Sequence, residues 1–124
     1  MFGFGDLLRV DLSTETIRRE AIPLEMRRRY LGGGGINGRR LWEHFLKVDP
    51  KVDPRGPDNV LIVGLGPLGG TPFGFGSKTK FTFKSPAYGL FGDSVSGAGF
   101  GPAMRWAGFD HLVVTGKATH PVYL

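Results

Sequence analysis

The chain has 124 residues, enough for one domain or for half of a larger one, and we treat residues 1–124 as a single domain. Its 16 lysines and arginines outnumber 11 aspartates and glutamates, and the resulting net charge of +5 favours anionic partners. The absence of cysteine excludes disulfides, thiolate metal sites, iron–sulfur ligation and cysteine nucleophiles within this chain. No signal peptide or membrane-spanning run is visible, so we expect a cytoplasmic protein without membrane contact.

The N-terminal part of the chain predicts a β-hairpin followed by a short helix. Apolar residues alternate over residues 5–12, and residues 16–22 form the returning strand with Ile17 directed inward. Residues 24–31 carry an acidic residue early and basic residues late, as the helix dipole prefers, and predict a helix.

A run of glycines separates this helix from the next one. Residues 32–35 are all glycine and must end the first helix. Over residues 36–46, apolar side chains recur at helical spacing and predict a second helix with one apolar face. Residues 48–57 are punctuated by proline and predict a stiff loop.

The second half of the chain predicts mostly strands. The predicted strands cover residues 60–65, 78–84, 89–95 and 109–115, a helix covers residues 101–108, and residues 121–124 enter a further strand. Strands outnumber helices, and the hairpins imply antiparallel pairing. The predicted fold class is therefore α+β, with a mainly antiparallel, glycine-bent β-sheet and two or three short helices.

Three glycine-rich segments surround the predicted strands of the second half, at residues 64–70, 73–77 and 96–101. Glycine allows main chain to approach a ligand closely, and neighbouring backbone N–H groups can bind an anion. Lys78 follows the second segment directly. The pattern predicts a cradle for a phosphorylated ligand. It is not a dinucleotide fingerprint, because Pro67 interrupts the first segment and no helical periodicity follows it.

The strand after this lysine alternates polar and aromatic residues. Lys78, Lys80, Thr82 and Lys84 share one face, and two phenylalanines occupy the other. Same-face neighbours are spaced like adjacent phosphates, but lysines on an edge strand also discourage aggregation. Both interpretations stay open for Lys80 and Lys84, whereas the position of Lys78 favours a role in binding. Asp93 is open to two interpretations as well, either a hydrogen-bond partner of a ligand ring or an exposed turn carboxylate.

Short segments along the whole chain recur, in the same order, in one known protein family. They are residues 5–13, 30–35, 52–59, 66–71, 84–86, 96–101, 106–110 and 113–123. This pattern resembles the N-terminal domain of the aldehyde ferredoxin oxidoreductase family. The resemblance implies a domain that forms the base of a tungsten or molybdenum bis-pterin cofactor and that consists of two similar α+β halves. The present chain has about the length of one half, and in that family the iron–sulfur cysteines lie in later domains, so no iron–sulfur cluster is expected here.

The resemblance also implies cofactor-binding positions but no catalytic residue. These positions are Gly74, Gly76, Ser77, Lys78, Val95, Ser96, Gly97 and Ala98. The backbone carbonyl of Val95 would bind a magnesium ion that links the pterin phosphates. Two positions depart from the family pattern. Lys78 stands where arginine is typical and lacks its planar fork, and Val95 stands where many members have asparagine.

Two classes of partner follow from the resemblance. One is a homodimer whose true twofold axis replaces the internal pseudo-twofold axis, with the C-terminal strand and the glycine segments near the interface. The other is a cysteine-containing catalytic partner chain. A structural remnant without cofactor is a further interpretation.

A nucleic-acid-binding module is the alternative from another class. It would use residues 27–29, Arg39 and Arg40 with the displayed aromatics Phe73 and Phe75. Short arginine runs are more typical of the solvated side of a helix, so nucleic acid is the less favoured partner. The three histidines, His44, His111 and His120, have no metal-ligand spacing.

Overall fold

The computed structural model describes residues 5–73 and 76–123, in which six strands form one sheet and three helices flank it. The strands are β1 (Asp6–Asp11), β2 (Thr16–Glu20), β3 (Val60–Leu65), β4 (Thr79–Lys84), β5 (Phe91–Ser96) and β6 (Phe109–Thr115). The helices are α1 (Leu24–Tyr30), α2 (Gly33–Phe45) and α3 (Phe100–Trp106).

The sheet has the strand order β2-β1-β6-β3-β4-β5. Strands β1 and β6 pair in parallel, and every other neighbouring pair is antiparallel. The predicted mainly antiparallel α+β fold is therefore confirmed. The parallel pair was not predicted, because it joins the two ends of the chain and leaves no local turn signal.

Helix α2 packs across one face of the sheet, chiefly on β3 and β4. The core between them contains Leu7, Ile36, Leu41, Ile62 and Val113, all of them buried. Burial of such side chains contributes roughly 1.5–3 kcal/mol each, so this layer contributes strongly to stability.

Helix α2 begins at Gly33, three positions before the predicted start at Ile36. The glycine run does separate the two helices, since Leu31 has a φ of 62° and Gly33 a φ of +50°. It also forms the first turn of α2. A Cβ atom on Gly33 would stand 3.4 Å from the backbone nitrogen of Gly66, so this turn lies directly on the end of β3. The periodicity of apolar side chains could not reveal a turn that has none.

Some predicted details are wrong. Ile17 is 68% exposed, because β2 is an edge strand of the sheet and no described helix covers it. Trp42 and Leu46 are also exposed, so the apolar face of α2 is narrower than predicted. Residues 121–123 form no strand, and Leu124 lies outside the described residues. No helix in the described part of the chain is long and apolar enough to span a membrane.

Candidate functional site

The three glycine segments meet at one end of the sheet. We call residues 66–70 the first bend, the described residues 73, 76 and 77 the second bend, and residues 96–99 the third bend. Leu65, where β3 ends, pairs with Thr79, where β4 begins, and Thr79 also pairs with Ser96 at the end of β5. Because these positions are direct neighbours across the sheet, the bends that follow or precede them lie side by side.

Arg105 on α3 holds the first bend in place. Its Nη1 donates hydrogen bonds to the carbonyl oxygens of Pro67 at 2.7 Å and Gly69 at 2.5 Å, and its Nη2 to that of Gly66 at 3.2 Å. The indole Nε1 of Trp106 donates to the carbonyl oxygen of Gly70 at 3.2 Å. The carbonyl groups of this bend are thus occupied by the protein itself.

Arg105 is held in turn by a buried carboxylate. Asp110 on β6 is 2% exposed and accepts a hydrogen bond from Arg105 Nε at 2.7 Å. Arg27 of α1 reaches the other oxygen of Asp110 at 3.5 Å and donates to the carbonyl oxygen of Gly5 at 2.7 Å. Arg27 is therefore part of this buried network, which ties together α1, α3, β6 and the first bend, and does not belong to a solvated helix face.

The first and second bends pack against each other. A Cβ atom on Gly76 would stand 2.7 Å from the carbonyl oxygen of Leu68, and one on Gly69 would stand 2.9 Å from that of Gly76. Glycine is needed at both positions because any side chain would force the two bends apart. Gly74 and Phe75, predicted parts of the second bend, lie outside the described residues.

The third bend is open, and Lys78 lies beside it. The ideal Cβ position on Gly97 is 3.8 Å from Lys78 Nζ, and a Cβ on Gly99 would meet nothing within 4 Å. Lys78 is exposed, and it makes no ion pair or side-chain hydrogen bond among residues 5–73 and 76–123. Ala98 has a φ of 62°, a conformation that non-glycine residues rarely adopt.

The structure thus brings part of the predicted site together. Lys78 and Gly97 are adjacent, Ser77 is half-buried next to them, and Ser96 and Ala98 are exposed on the third bend. These residues form a solvent-accessible surface. Val95 lies on the edge strand β5 with its side chain 47% exposed.

Lys80 and Lys84 have structural roles that neither sequence interpretation anticipated. Lys84 is 8% exposed and donates to the carbonyl oxygens of Pro50 at 2.5 Å and Val52 at 2.8 Å. Lys80 forms an ion pair with Asp93, which is therefore not a free turn carboxylate. Both lysines lie on the face of β4 that α2 covers. Lys84 therefore binds the proline-punctuated loop, and Lys80 binds the edge strand β5.

A polar cluster without a counterpart in the sequence analysis lies beneath the first turns of α2. His111 on β6 is 1% exposed, and burial lowers its pKa to about 4 despite the nearby carboxylate of Asp110. Neither ring nitrogen of His111 forms a hydrogen bond of normal geometry with a described residue. Asn37, also buried, donates from Nδ2 to Ile62 O, Lys80 O and Thr82 Oγ1. A histidine inside an apolar strand gives no sequence signal of such burial.

The described residues contain no group of three histidine, aspartate or glutamate side chains that could hold a metal ion. The arginines that the nucleic-acid alternative would use make several different contacts within the protein. Arg39 and Arg40 both pair with Glu43, whereas Phe73 is 72% exposed at the second bend. Arg39 and Arg40 therefore both pair with a carboxylate of their own helix.

Comparison with known proteins identifies relatives of this chain. Residues 7–124 match the model of the family described as aldehyde ferredoxin oxidoreductase, N-terminal domain. The tungsten-containing aldehyde ferredoxin oxidoreductases of Pyrococcus horikoshii and Pyrococcus furiosus are 40% and 38% identical over 125 residues, which cover 100% of this chain. The WOR-like subunit of an aliphatic sulfonate oxidoreductase from Pyrococcus furiosus is 35% identical over 97% of the chain. The chain spans 20% of the length of the two aldehyde oxidoreductases and 19% of that subunit.

A solved structure also contains a region similar to this chain. The active-site complex BamBC of benzoyl coenzyme A reductase, determined with 1,5-dienoyl-CoA, contains a region that superposes with a TM-score of 0.91. It is 37% identical in sequence and covers 97% of this chain and 18% of the other.

Proposed function

Because the chain belongs to the aldehyde ferredoxin oxidoreductase N-terminal domain family, we propose that it binds the pterin cofactor of a tungsten or molybdenum oxidoreductase. The support is the match over residues 7–124 and the identity of 40% to a tungsten-containing relative over the whole chain. Aldehyde oxidation belongs in this proposal to a larger assembly, because the chain spans only one fifth of such relatives.

The cofactor site would be the surface formed by Lys78 and the third bend. The single observation that carries this assignment is the 3.8 Å separation between Lys78 Nζ and the ideal Cβ position of Gly97. A bend with glycine at positions 97 and 99, next to a lysine without a partner among the described residues, suits a phosphate, because backbone N–H groups and an ammonium can share one anion. Gly99 leaves further room, whereas the first bend is packed against Gly76 and held by Arg105.

The positive charge and the open space of this surface suit an anionic pterin. Lys78 would supply the cationic contact, and Ser77 and Ser96 would donate hydrogen bonds from their hydroxyl groups. The backbone of Gly97 and Ala98 would allow the ligand to approach closely. Gly74 and Gly76 complete the proposed set, Gly76 as the residue that seats the second bend on the first. When bound, the metal-pterin group supplies the redox chemistry, and this chain supplies only its seat.

A magnesium ion at the Val95 carbonyl remains part of the proposal. Strand β5 is the edge of the sheet, so a share of its backbone groups points away from β4 and is open to a ligand. Magnesium accepts carbonyl oxygens together with phosphate oxygens, which agrees with a position between β5 and the proposed phosphates.

The proposed partners are a second copy of the chain or a cysteine-containing catalytic chain. The face of the sheet opposite α2 supports a partner, since a largely apolar cavity of about 490 Å³ opens there between Leu8, Leu112, Phe100 and Met104. Sedimentation at micromolar concentration tests the first partner. A monomer throughout this range would contradict the homodimer.

The cofactor proposal can be tested by retention of pterin. The chain would be produced in a host that makes tungsten or molybdenum pterin cofactors, and bound metal and pterin fluorescence would be measured per folded chain. We expect Lys78→Ala to retain about tenfold less cofactor, because a charge-assisted hydrogen bond is lost. Lys78→Arg should retain as much as the unchanged chain.

Lys117→Ala is the matched control, because Lys117 is exposed beyond β6, outside the bends, and its loss changes the net charge equally. Folded protein without metal or pterin in the unchanged chain would contradict the cofactor proposal itself. Equal loss in the Lys78 and Lys117 variants would contradict only the site.

A further inference from the structure

A cavity of about 340 Å³ lies between α2 and the sheet, away from the glycine bends. Its volume is at the small end of the range for ligand sites. Helix α2 contributes one stripe of side chains at helical spacing, Arg40, Glu43 and His44, and Lys47 follows just after the helix. Strands β1 and β2 contribute Arg9 and Glu20, and the floor is formed by the core residues Val60, Ile62 and Val113.

The carboxylates of this cavity are already paired. Both oxygens of Glu20 accept hydrogen bonds from Arg9, at 2.7 and 3.4 Å. The oxygens of Glu43 accept from Arg39 Nε at 2.9 Å and from Arg40 Nη1 at 3.0 Å. The guanidinium of Arg9 lowers the pKa of Glu20, so this carboxylate stays ionised at neutral pH.

The hydrogen-bond donors, in contrast, are in excess. Arg40 Nε is buried and has no hydrogen-bond partner among the described residues. Arg40 Nη1 is used by Glu43, so the side-on edge formed by Nε and Nη2 is left over. Arg9, Arg40 and Lys47 counted against Glu20 and Glu43 give these five side chains one net positive charge.

We propose that this cavity binds a small organic carboxylate. The planar side-on edge of an arginine matches the two oxygens of a carboxylate, and the pair can form two parallel hydrogen bonds after a small rotation of the Arg40 side chain. Such a ligand gives the buried Nε the partner that it lacks, which removes a desolvation penalty. The valines and isoleucine of the floor favour an organic ion with a short apolar body over an inorganic one.

This site is separate from the proposed cofactor surface. Arg40 and Glu43 lie in the middle and C-terminal part of α2, and Lys47 follows its end. Lys80 and Gly66 are the neighbours of the glycine turn at the other end of this helix. A variant in one site therefore leaves the other intact, and the two proposals can fail independently.

The test is an NMR titration of the 124-residue chain with sodium propionate at constant ionic strength. We expect saturable shifts of the Arg40 Nε–H resonance and of the methyl resonances of Val60, Ile62 and Val113. Propionamide, which has the same shape without the charge, should produce no saturable shift. Inorganic phosphate should bind at least about tenfold more weakly than propionate, because it makes no use of the apolar floor.

Arg40→Gln should weaken propionate binding about tenfold through loss of the charged fork. Arg40→Lys, which keeps the charge but not the fork, should weaken it as well. Arg28→Gln is the matched control, because Arg28 is exposed on α1 and outside the cavity, and should bind like the unchanged chain. Circular dichroism of each variant verifies the fold, and Arg9→Gln replaces Arg40→Gln if the latter does not fold.

Three results would overturn the proposal. Shifts that rise linearly without saturation show only a bulk electrostatic effect. Equal binding of propionate and phosphate contradicts an organic ligand. Equal affinity in the Arg28 and Arg40 variants places the anion elsewhere.

Discussion

The first and third bends lie at the same end of the sheet, on either side of the second bend, yet their surroundings differ. The first bend gives three carbonyl groups to Arg105 and one to Trp106, and it packs against Gly76. The third bend has open space at Gly99 and a lysine ammonium as the nearest neighbour of Gly97. Glycine in the first bend lets protein pack on protein, whereas glycine in the third leaves a surface uncovered. A glycine-rich sequence is therefore not evidence of a ligand by itself.

The difference has consequences for stability and for binding. Residues of the packed region should matter to folding whether or not cofactor is present. Residues of the open region should hardly affect folding, and their effect should be visible only when a ligand is measured. Substitutions in the two regions separate these effects, and the largest loss of stability is expected in the buried network behind the first bend.

Arg105→Met should be the most destabilising of these changes. It leaves Asp110, which is 2% exposed, with Arg27 as its remaining ion-pair partner and releases the carbonyl groups of the first bend. Removing one partner of a buried ion pair costs about 3–5 kcal/mol, and we expect a loss of this size in the free energy of unfolding by urea.

Arg105→Lys is an informative second variant, because it keeps the charge near Asp110 but cannot reach several carbonyl groups at once. It should lose less stability than Arg105→Met. Arg28→Met on the exposed face of α1 is the control and should change stability by less than about 0.5 kcal/mol. An Arg105→Met variant as stable as this control would show that the network does not hold the first bend.

The buried histidine beneath α2 predicts a dependence of stability on pH. The folded-state pKa of His111 is about 4 and its ordinary value is 6.5, so the unfolded chain binds more protons between these values. The free energy of unfolding should therefore fall as the pH is lowered from 6.5 to 4, by up to about 3 kcal/mol from this group. Urea unfolding at several pH values measures the slope.

His111→Gln should flatten this slope, since glutamine does not titrate. His120→Gln is the matched control, because His120 is exposed and its loss should leave the slope unchanged. Parallel pH profiles for the unchanged chain and the His111 variant would contradict the assignment of this window to His111.

The sequence predicted the sheet and its strands well because those signals are local. The alternation over residues 78–84 and the apolar run over residues 60–65 each lie close to the strand that forms. The parallel β1–β6 pair and the contact of Gly33 with Gly66 depend on residues far apart in the chain, and no short pattern encodes them. The periodicity of β4 gave the correct face for its lysines but not that α2 covers this face.

The candidate site was predictable to a similar degree. Lys78 and Gly97 were selected by type and resemblance, and the fold brings them together. The division of the bends into a packed and an open one could not be predicted, because it depends on Arg105. In the sequence this residue is one more arginine in a short helix, and only the fold places it against the carbonyl groups of residues 66–70.

The smallest effect on stability is expected at the third bend. Gly97→Ala adds a Cβ whose nearest neighbour is the flexible Lys78 ammonium at 3.8 Å, so the free energy of unfolding should stay within about 0.5 kcal/mol of the unchanged chain. Gly76→Ala is the matched change in a packed position. Its Cβ would stand 2.7 Å from the backbone of Leu68, and we expect a loss of about 1–3 kcal/mol.

Measurement of bound pterin on the same two variants completes this comparison. If the third bend seats a phosphate, Gly97→Ala should lower cofactor retention although it leaves stability intact, because the added methyl group stands where main chain and ligand would approach each other. Gly76→Ala should lower retention only in proportion to the folded fraction. Equal losses of stability in the two variants would mean that the third bend is as closely packed as the second, and the reason for placing a ligand there would be gone.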